Sequence, residues 1–107
     1  MIDMKRACTE FDRYLDGFDR NNEKITLKIV HTNEVVRCSG EIARRMNLPQ
    51  EDQELAELIA LLHDIGRFEQ VRMYNSFEPA TMDHAHFGVE LLFGSEKPWI
   101  RSFVVSD

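Results

Sequence analysis

The sequence predicts an all-α protein in which helices pack as a bundle. Apolar residues recur at three- and four-residue spacings through most of the chain, the period of a helix with one buried face. The strict alternation of apolar and polar residues that marks a strand is absent, apart from a few ambiguous residues near the end. No internal repeat, low-complexity run or linker divides the 107 residues, so we expect one domain spanning 1–107.

The individual helices follow from start and stop signals along the chain. Asp3 is a cap residue for the first helix, a proline opens the third, and Asp83 caps the last clear one. A proline and the lack of any sustained period indicate an irregular stretch between Arg67 and Met82. The predicted helices are 3–18, 23–46, 49–64, 68–74 and 84–93, followed by an apolar segment over 99–105.

Charge and composition exclude several classes of function. The formal net charge of −6 does not suit a protein that holds the backbone of a nucleic-acid polymer. A small phosphorylated substrate remains compatible, because a bound divalent cation reverses the local field. Cys8 and Cys38 are too few and too far apart for a disulfide framework or a zinc knuckle. No segment has the length of a signal peptide core or a membrane span, so we expect a cytoplasmic protein without a membrane partner.

An adjacent imidazole and carboxylate, His63 and Asp64, are the first indication of chemistry. Neutral imidazole and carboxylate together bind borderline and hard divalent cations. Neighbouring helical positions lie about 100° apart, so both side chains reach one ion only near a helix end. Gly66 is expected to provide that end by adopting the left-handed conformation of a C-cap.

Three histidines are predicted to lie on the inward faces of three different helices. His31 is on one side of the long helix together with Val35, Cys38 and Ile42, and His63 shares a side with an apolar residue four positions earlier. One histidine on an apolar face is more often a core residue than a ligand. Three of them, one beside a carboxylate, favour a metal site over that interpretation.

The last clear helix supplies the third of these histidines. His84 lies four residues before Gly88, which lets a neighbouring helix come close, whereas His86 is about 200° away around the helix and should face elsewhere. Arg67 follows the His-Asp pair. An arginine is usually a solvated charge, but here its guanidinium could hold a phosphate oxygen.

Three segments in this order resemble the HD-domain superfamily of metal-dependent phosphohydrolases. The first is the helix around His31, the second is Leu-Leu-His-Asp-Ile-Gly-Arg-Phe over 61–68, and the third is the helix over 83–93 that contains His84. Together they cover most of residues 10–94. The resemblance implies an HD-domain-like bundle of helices.

The resemblance also implies roles for single residues. His31, His63 and Asp64 match the first three metal ligands of the family, and His84 matches a position that joins a second metal or contacts substrate. A mixed histidine and carboxylate shell suits Mn, Fe, Co, Ni or Zn better than Mg. The bound ion would activate a water, with Asp64 orienting it and Arg67 balancing charge on the phosphoryl oxygens, so these two are the predicted catalytic residues.

The closing ligand of the family is an aspartate on a later helix. Asp107 is terminal and too early to match it, so the sequence reads as the N-terminal part of a longer HD protein, with low activity of its own. The apolar run over 99–105 then lacks a cover, and we expect self-association through Trp99 and Phe103, which are four positions apart.

The predicted function is therefore a divalent-metal-dependent phosphohydrolase acting on a small phosphoester, with nucleotides among the candidates. Two alternatives remain open on the sequence. One is a metal- or nucleotide-binding regulatory domain without turnover, which the missing aspartate favours. The other is a helical interaction module whose histidines belong to the core.

Overall fold

The computed structural model describes residues 2–104, and within them five α-helices are followed by a short 3-10 helix. The all-α prediction is confirmed. The predicted helix 84–93 has the predicted ends, and the other predicted helices are found with ends shifted by up to three residues. Among the described residues no helix combines the length and hydropathy needed to cross a membrane. The elements are α1 (Met4–Leu15), α2 (Glu23–Arg45), α3 (Gln50–Leu62), α4 (Gly66–Tyr74), α5 (His84–Phe93) and the 3-10 helix (Trp99–Ser102).

Side-chain caps fix where three of the helices begin. The carboxylate of Asp3 accepts a hydrogen bond from the backbone N–H of Arg6 at 2.9 Å, and the carboxylate of Asp83 accepts one from His86 at 3.0 Å. Asn22 does the same for α2. Each cap satisfies a backbone donor that the first helical turn leaves unpaired, so these starts are encoded locally.

Helices α2 and α3 form the central pair of the bundle. Both helices carry small buried residues: Ala43 is 2% exposed and Ala60 is 4% exposed. A Cβ atom added to Gly40 would lie 3.2 Å from the side chain of Glu57, so the two helices approach closely there. The turn between them contains Asn47 in the left-handed conformation, with φ of 55°. The pair is the platform on which α1 and α4 pack.

The core lies beneath this platform and is centred on an aromatic ring of α4. Phe68 is fully buried and meets the ring of Phe11 edge-on, with ring centroids 5.9 Å apart. Burying such side chains contributes on the order of 2 kcal/mol each, so this cluster is what holds α1 and α4 to the central pair. The buried apolar residues are Ala7, Phe11, Leu15, Ile25, Leu58, Leu61, Leu62, Ile65, Phe68, Val71, Leu92 and Phe103.

The predicted inward stripe of α2 is wrong. Cys38 is exposed, and Ile42 has 59% of its surface exposed, so the side of the helix that carries His31 faces solvent. Helix α2 has apolar residues on two sides, and their spacing alone cannot say which side is buried. The small residues decide it, because they allow the approach of α3. The buried residues of α2 are Ile25, Thr32, Gly40 and Ala43.

The predicted role of Gly66 is also wrong. No glycine of the chain has a positive φ, and α3 already ends at Leu62. Gly66 instead begins α4 at a place where α5 crosses it. A Cβ atom added there would overlap the carbonyl oxygen of His84. A Cβ atom added to Gly88 would lie 3.2 Å from a methyl carbon of Ile65, so the predicted close approach at Gly88 is observed.

The described part of the apolar segment after α5, residues 99–104, packs on α1. Phe103 is 1% exposed, and its carbonyl oxygen accepts a hydrogen bond from the backbone N–H of Asp3 at 2.9 Å. The indole ring of Trp99 is half-buried and lies 5.2 Å from the ring of Tyr14. The predicted self-association through this segment stays a prediction, and Asp107 lies outside the described residues.

Candidate metal centre

The carboxylate of Asp64 is the centre of the site. It lies in the turn between α3 and α4, and its Oδ2 atom is 3.2 Å from Nε2 of His63 and 3.5 Å from Nε2 of His31. One ligating atom from each of the three residues lies within 4.8 Å of the other two. The three side chains that the sequence singled out therefore converge, at the spacing from which bonds of about 2.0–2.2 Å can reach one ion.

Three helices bring these groups together. His31 lies within α2, whereas His63 is the cap residue of α3 and Asp64 follows it, so the end of α3 turns both toward α2. His84 is the first residue of α5, and its Nε2 atom is 3.8 Å from Oδ1 of Asp64. The contact between Gly66 and the His84 backbone places it there.

The site opens to solvent, which corrects the expectation of inward-facing histidines. The side chain of His31 is 44% exposed and that of His63 is 33% exposed, while Asp64 is only 14% exposed. Ile59, four residues before His63, is 60% exposed as well, so this side of α3 also faces outward. His86 is exposed and lies outside the cluster, as the helix phase predicted.

The donor set fits a divalent cation. Nδ1 of His63 lies 2.6 Å from the carbonyl oxygen of Ala60, and because a carbonyl only accepts, Nδ1 must carry the hydrogen. In the neutral ring the lone pair then sits on Nε2 and faces the Asp64 carboxylate. The His63 lone pair and the Asp64 carboxylate thus face each other, and Nε2 of His31 lies 3.5 Å from the same oxygen, an arrangement that a shared cation would stabilise. A backbone carbonyl behind a histidine is also the usual outer partner of a metal ligand.

Lys28 is part of this site and was missed by the sequence reasoning. Its Nζ atom lies 3.2 Å from Oδ2 of Asp64, and its side chain is 17% exposed. The ammonium also lies over the ring of Phe77, 5.2 Å from the centroid. The available signal was its position three residues before His31, which puts the two side chains on adjoining parts of one helix surface.

Arg67 flanks the opposite oxygen of the carboxylate. Its Nε atom is 4.0 Å from Oδ1 of Asp64, is buried, and has no hydrogen-bond partner within the described part of the chain. The rest of the guanidinium is held in place by two hydrogen bonds. Its Nη1 atom donates to Oε1 of Gln70 at 2.9 Å and to the carbonyl oxygen of Phe77 at 3.3 Å. One buried donor is therefore left beside the Asp64 carboxylate.

Electrostatics keep Asp64 ionised and His84 neutral. Burial acts to raise the pKa of Asp64, but the hydrogen bond from Lys28, the charge that His63 carries when it is protonated, and the charges of Lys28 and Arg67 together hold that pKa below its ordinary value of 3.8. Burial is the main cause that lowers the pKa of His84, with the charge of Arg67 next, although Asp64 opposes it. Both groups are thus in the form that binds a metal ion near neutral pH.

Comparison with known proteins gives one match. The family model of the HD domain matches residues 29–105, a range that contains all three converging residues and His84 and begins just after Lys28. No curated protein and no solved structure matches the chain.

Proposed function

Because this chain belongs to the HD-domain family of metal-dependent phosphohydrolases, we propose that it hydrolyses a small phosphoester with the help of a divalent metal ion. The observation that carries the proposal is the convergence of two imidazole nitrogens on one carboxylate oxygen of Asp64. His63, fixed by Ala60, directs a lone pair at the carboxylate, and His31 directs its Nε2 atom at the same oxygen. A cluster of this kind fits a metal centre better than a packed core.

His31, His63 and Asp64 would hold the ion, and His84 would serve a second ion or the substrate. Imidazole nitrogens and one carboxylate suit Mn, Fe, Co, Ni or Zn better than Mg, which prefers oxygen ligands. When bound, the ion supplies Lewis acidity to a phosphoryl oxygen and activates a water at neutral pH.

The chain's own residues then position and balance the reaction. Asp64 has a second oxygen, Oδ1, which can accept a hydrogen bond from the attacking water and orient it. Arg67 carries a buried Nε–H that lies 4.0 Å from that carboxylate and has no hydrogen-bond acceptor in the described part of the chain. It can donate to a phosphoryl oxygen as negative charge develops there. The side chain of His31 is 44% exposed, so a small substrate can approach the cluster from that side.

Elemental analysis and a hydrolysis assay test the proposal. The purified chain should carry a divalent transition metal, and hydrolysis of p-nitrophenyl phosphate with Mn²⁺ should exceed that of His63→Ala and match that of His86→Ala. Turnover below about 1 s⁻¹ is expected, because a single carboxylate in the described cluster holds the water loosely. Absence of any bound metal would overturn the proposal.

A metal- or nucleotide-binding regulatory domain is the second candidate. The lone carboxylate of the cluster favours it, since the site has few protein ligands to hold a nucleophile. Metal binding together with tight nucleotide binding and no release of phosphate would identify this function. Hydrolysis that His63→Ala abolishes would exclude it.

A further inference from the structure

The ammonium of Lys28 contacts Oδ2 of Asp64, the oxygen that a metal ion at this site would need. Its ammonium and the two imidazoles all meet Oδ2 of Asp64, at distances of 3.2 to 3.5 Å. The lysine is largely buried rather than solvated, and it lies on the same helix as His31. This ammonium balances the negative charge of the Asp64 carboxylate at the oxygen that both imidazoles approach.

A divalent ion at the same oxygen would repel that ammonium. Two like charges within a few ångströms of each other repel strongly near a protein surface. Because the ammonium can move away from the ion, we expect only part of this repulsion to remain, as a weakening of metal binding by about tenfold. The lysine side chain has four methylene groups joined by rotatable bonds, so the ammonium can move away from Oδ2 while the backbone of Lys28 stays in α2. Metal binding at Asp64 therefore implies a new partner for Lys28.

The groups around Lys28 suit one kind of partner, an anion with several oxygen atoms. Lys28 and Arg67 both lie against the ring of Phe77, the ammonium 5.2 Å and the guanidinium 5.7 Å from its centroid. The buried Nε–H of Arg67 finds no acceptor among residues 2–104. Two cations placed around one ring, beside a carboxylate that the ion would neutralise, suit a ligand with several acceptor oxygens and more than one negative charge.

We propose that Lys28 binds a phosphoryl oxygen of the substrate, and that it does so only when a metal ion has taken Oδ2 of Asp64 from it. The inference rests on the proposed function and deepens it. Lys28 then has two effects: it weakens binding of the metal ion before the substrate arrives, and it stabilises the bound phosphoryl group afterwards. Linkage makes metal and phosphoryl ligand strengthen each other's binding.

Three variants separate this role from a structural one. Lys28→Met removes the charge and keeps the length of the side chain, and Lys28→Arg keeps the charge. Lys24→Met makes the same chemical change one turn earlier on α2. The affinities to measure by calorimetry are those of Mn²⁺ for the free protein and of phenylphosphonate, a dianion that cannot be hydrolysed, for the Mn²⁺-loaded protein.

Lys28→Met should bind Mn²⁺ about tenfold more tightly and phenylphosphonate about ten- to a hundredfold more weakly. Lys28→Arg should retain most of the phenylphosphonate affinity, and Lys24→Met should change neither affinity. Opposite shifts in one variant cannot come from damage to the fold, which would weaken both. Unchanged affinities, or a loss of both, would overturn the inference while wild-type binding of Mn²⁺ leaves the proposed function standing. If the wild type binds no Mn²⁺, the proposed function fails, and this inference fails with it.

Discussion

The imidazole of His63 is held by the carbonyl oxygen of Ala60, which lies 2.6 Å from Nδ1. Both residues belong to the last turn of α3 and its cap, so the contact is made within one helix end. It fixes both the ring orientation and the tautomer before any ligand arrives. The site is therefore preorganised at the residue that the sequence motif marks most clearly.

Removing this ring should abolish tight metal binding. His63→Ala takes away one of three converging ligands, and we expect the affinity for Mn²⁺ or Zn²⁺ to fall by at least about 100-fold, the upper range for losing even an outer partner. Competition with a chromophoric chelator measures it. His86→Ala is the matched control, because that histidine is exposed and outside the cluster. Equal losses in the two variants would contradict the assignment.

His84 should make the metal-free protein less stable in mild acid. Burial, followed by the charge of Arg67, lowers the pKa of His84 below 6.5 in the folded state. The unfolded chain then binds more protons, so this contribution to the free energy of unfolding is fully present above the unfolded pKa. It is lost as the pH falls through the lower, folded pKa.

Urea unfolding in the presence of a chelator, at about pH 7.5 and about pH 5.0 on either side of the ordinary histidine pKa, tests this. The difference in free energy of unfolding between the two pH values should shrink in His84→Gln and persist in His86→Gln. A difference that His84→Gln leaves unchanged would assign the acid sensitivity to other groups.

Gly66→Ala should destabilise the fold, because the added methyl group overlaps the backbone carbonyl of His84. A backbone oxygen cannot rotate away as a side chain can, and we expect a loss of about 1–3 kcal/mol or more in the free energy of unfolding. Gly17→Ala is the control, since its Cβ would meet only the carbonyl oxygen of Tyr14 at 3.5 Å. That variant should change stability by less than about 1 kcal/mol. A stable Gly66→Ala protein would contradict the crossing geometry of α4 and α5.

Self-association through the C-terminal segment remains a prediction from the sequence. Trp99 is half-buried against Tyr14, which leaves part of the indole for a second copy. Sedimentation velocity over a range of concentrations should show a species larger than the monomer, and Trp99→Ala should weaken it. Phe93→Ala, which removes an exposed apolar ring on α5, is the comparison. A monomer at every concentration, or a larger effect from Phe93→Ala, would show that the prediction is wrong.

The helix positions were predictable because their signals are local. Asp3 and Asp83 cap helices through bonds to residues three positions later, so a short window of sequence contains the whole interaction. The convergence of His63 and Asp64 was predictable for the same reason, since both lie at one helix end.

The orientation of α2 and the part played by Lys28 were not predictable in this way. Which apolar side of α2 is buried depends on where α3 can approach, and residues such as Gly40 and Ala43 determine that without standing out as hydrophobic. A lysine is normally solvated, and Lys28 differs only because the fold brings Asp64 from 36 positions away. Which face of α2 is buried, and the presence of Lys28 beside Asp64, depend on tertiary packing and not on spacing along the sequence.

The crossing of α4 and α5 at Gly66 and Gly88 has a consequence for anyone who wishes to transplant the site. The distance between His84 and the Asp64 carboxylate depends on Gly66 and Gly88 having no Cβ atom, because this lets the two helices approach each other. A host bundle given the histidines and the aspartate, but with alanine at the crossing, would hold its α5 further out. The site is therefore defined by three histidines, one aspartate and the two glycines. A search for similar sites that specifies only the ligands would omit the glycines that position α5.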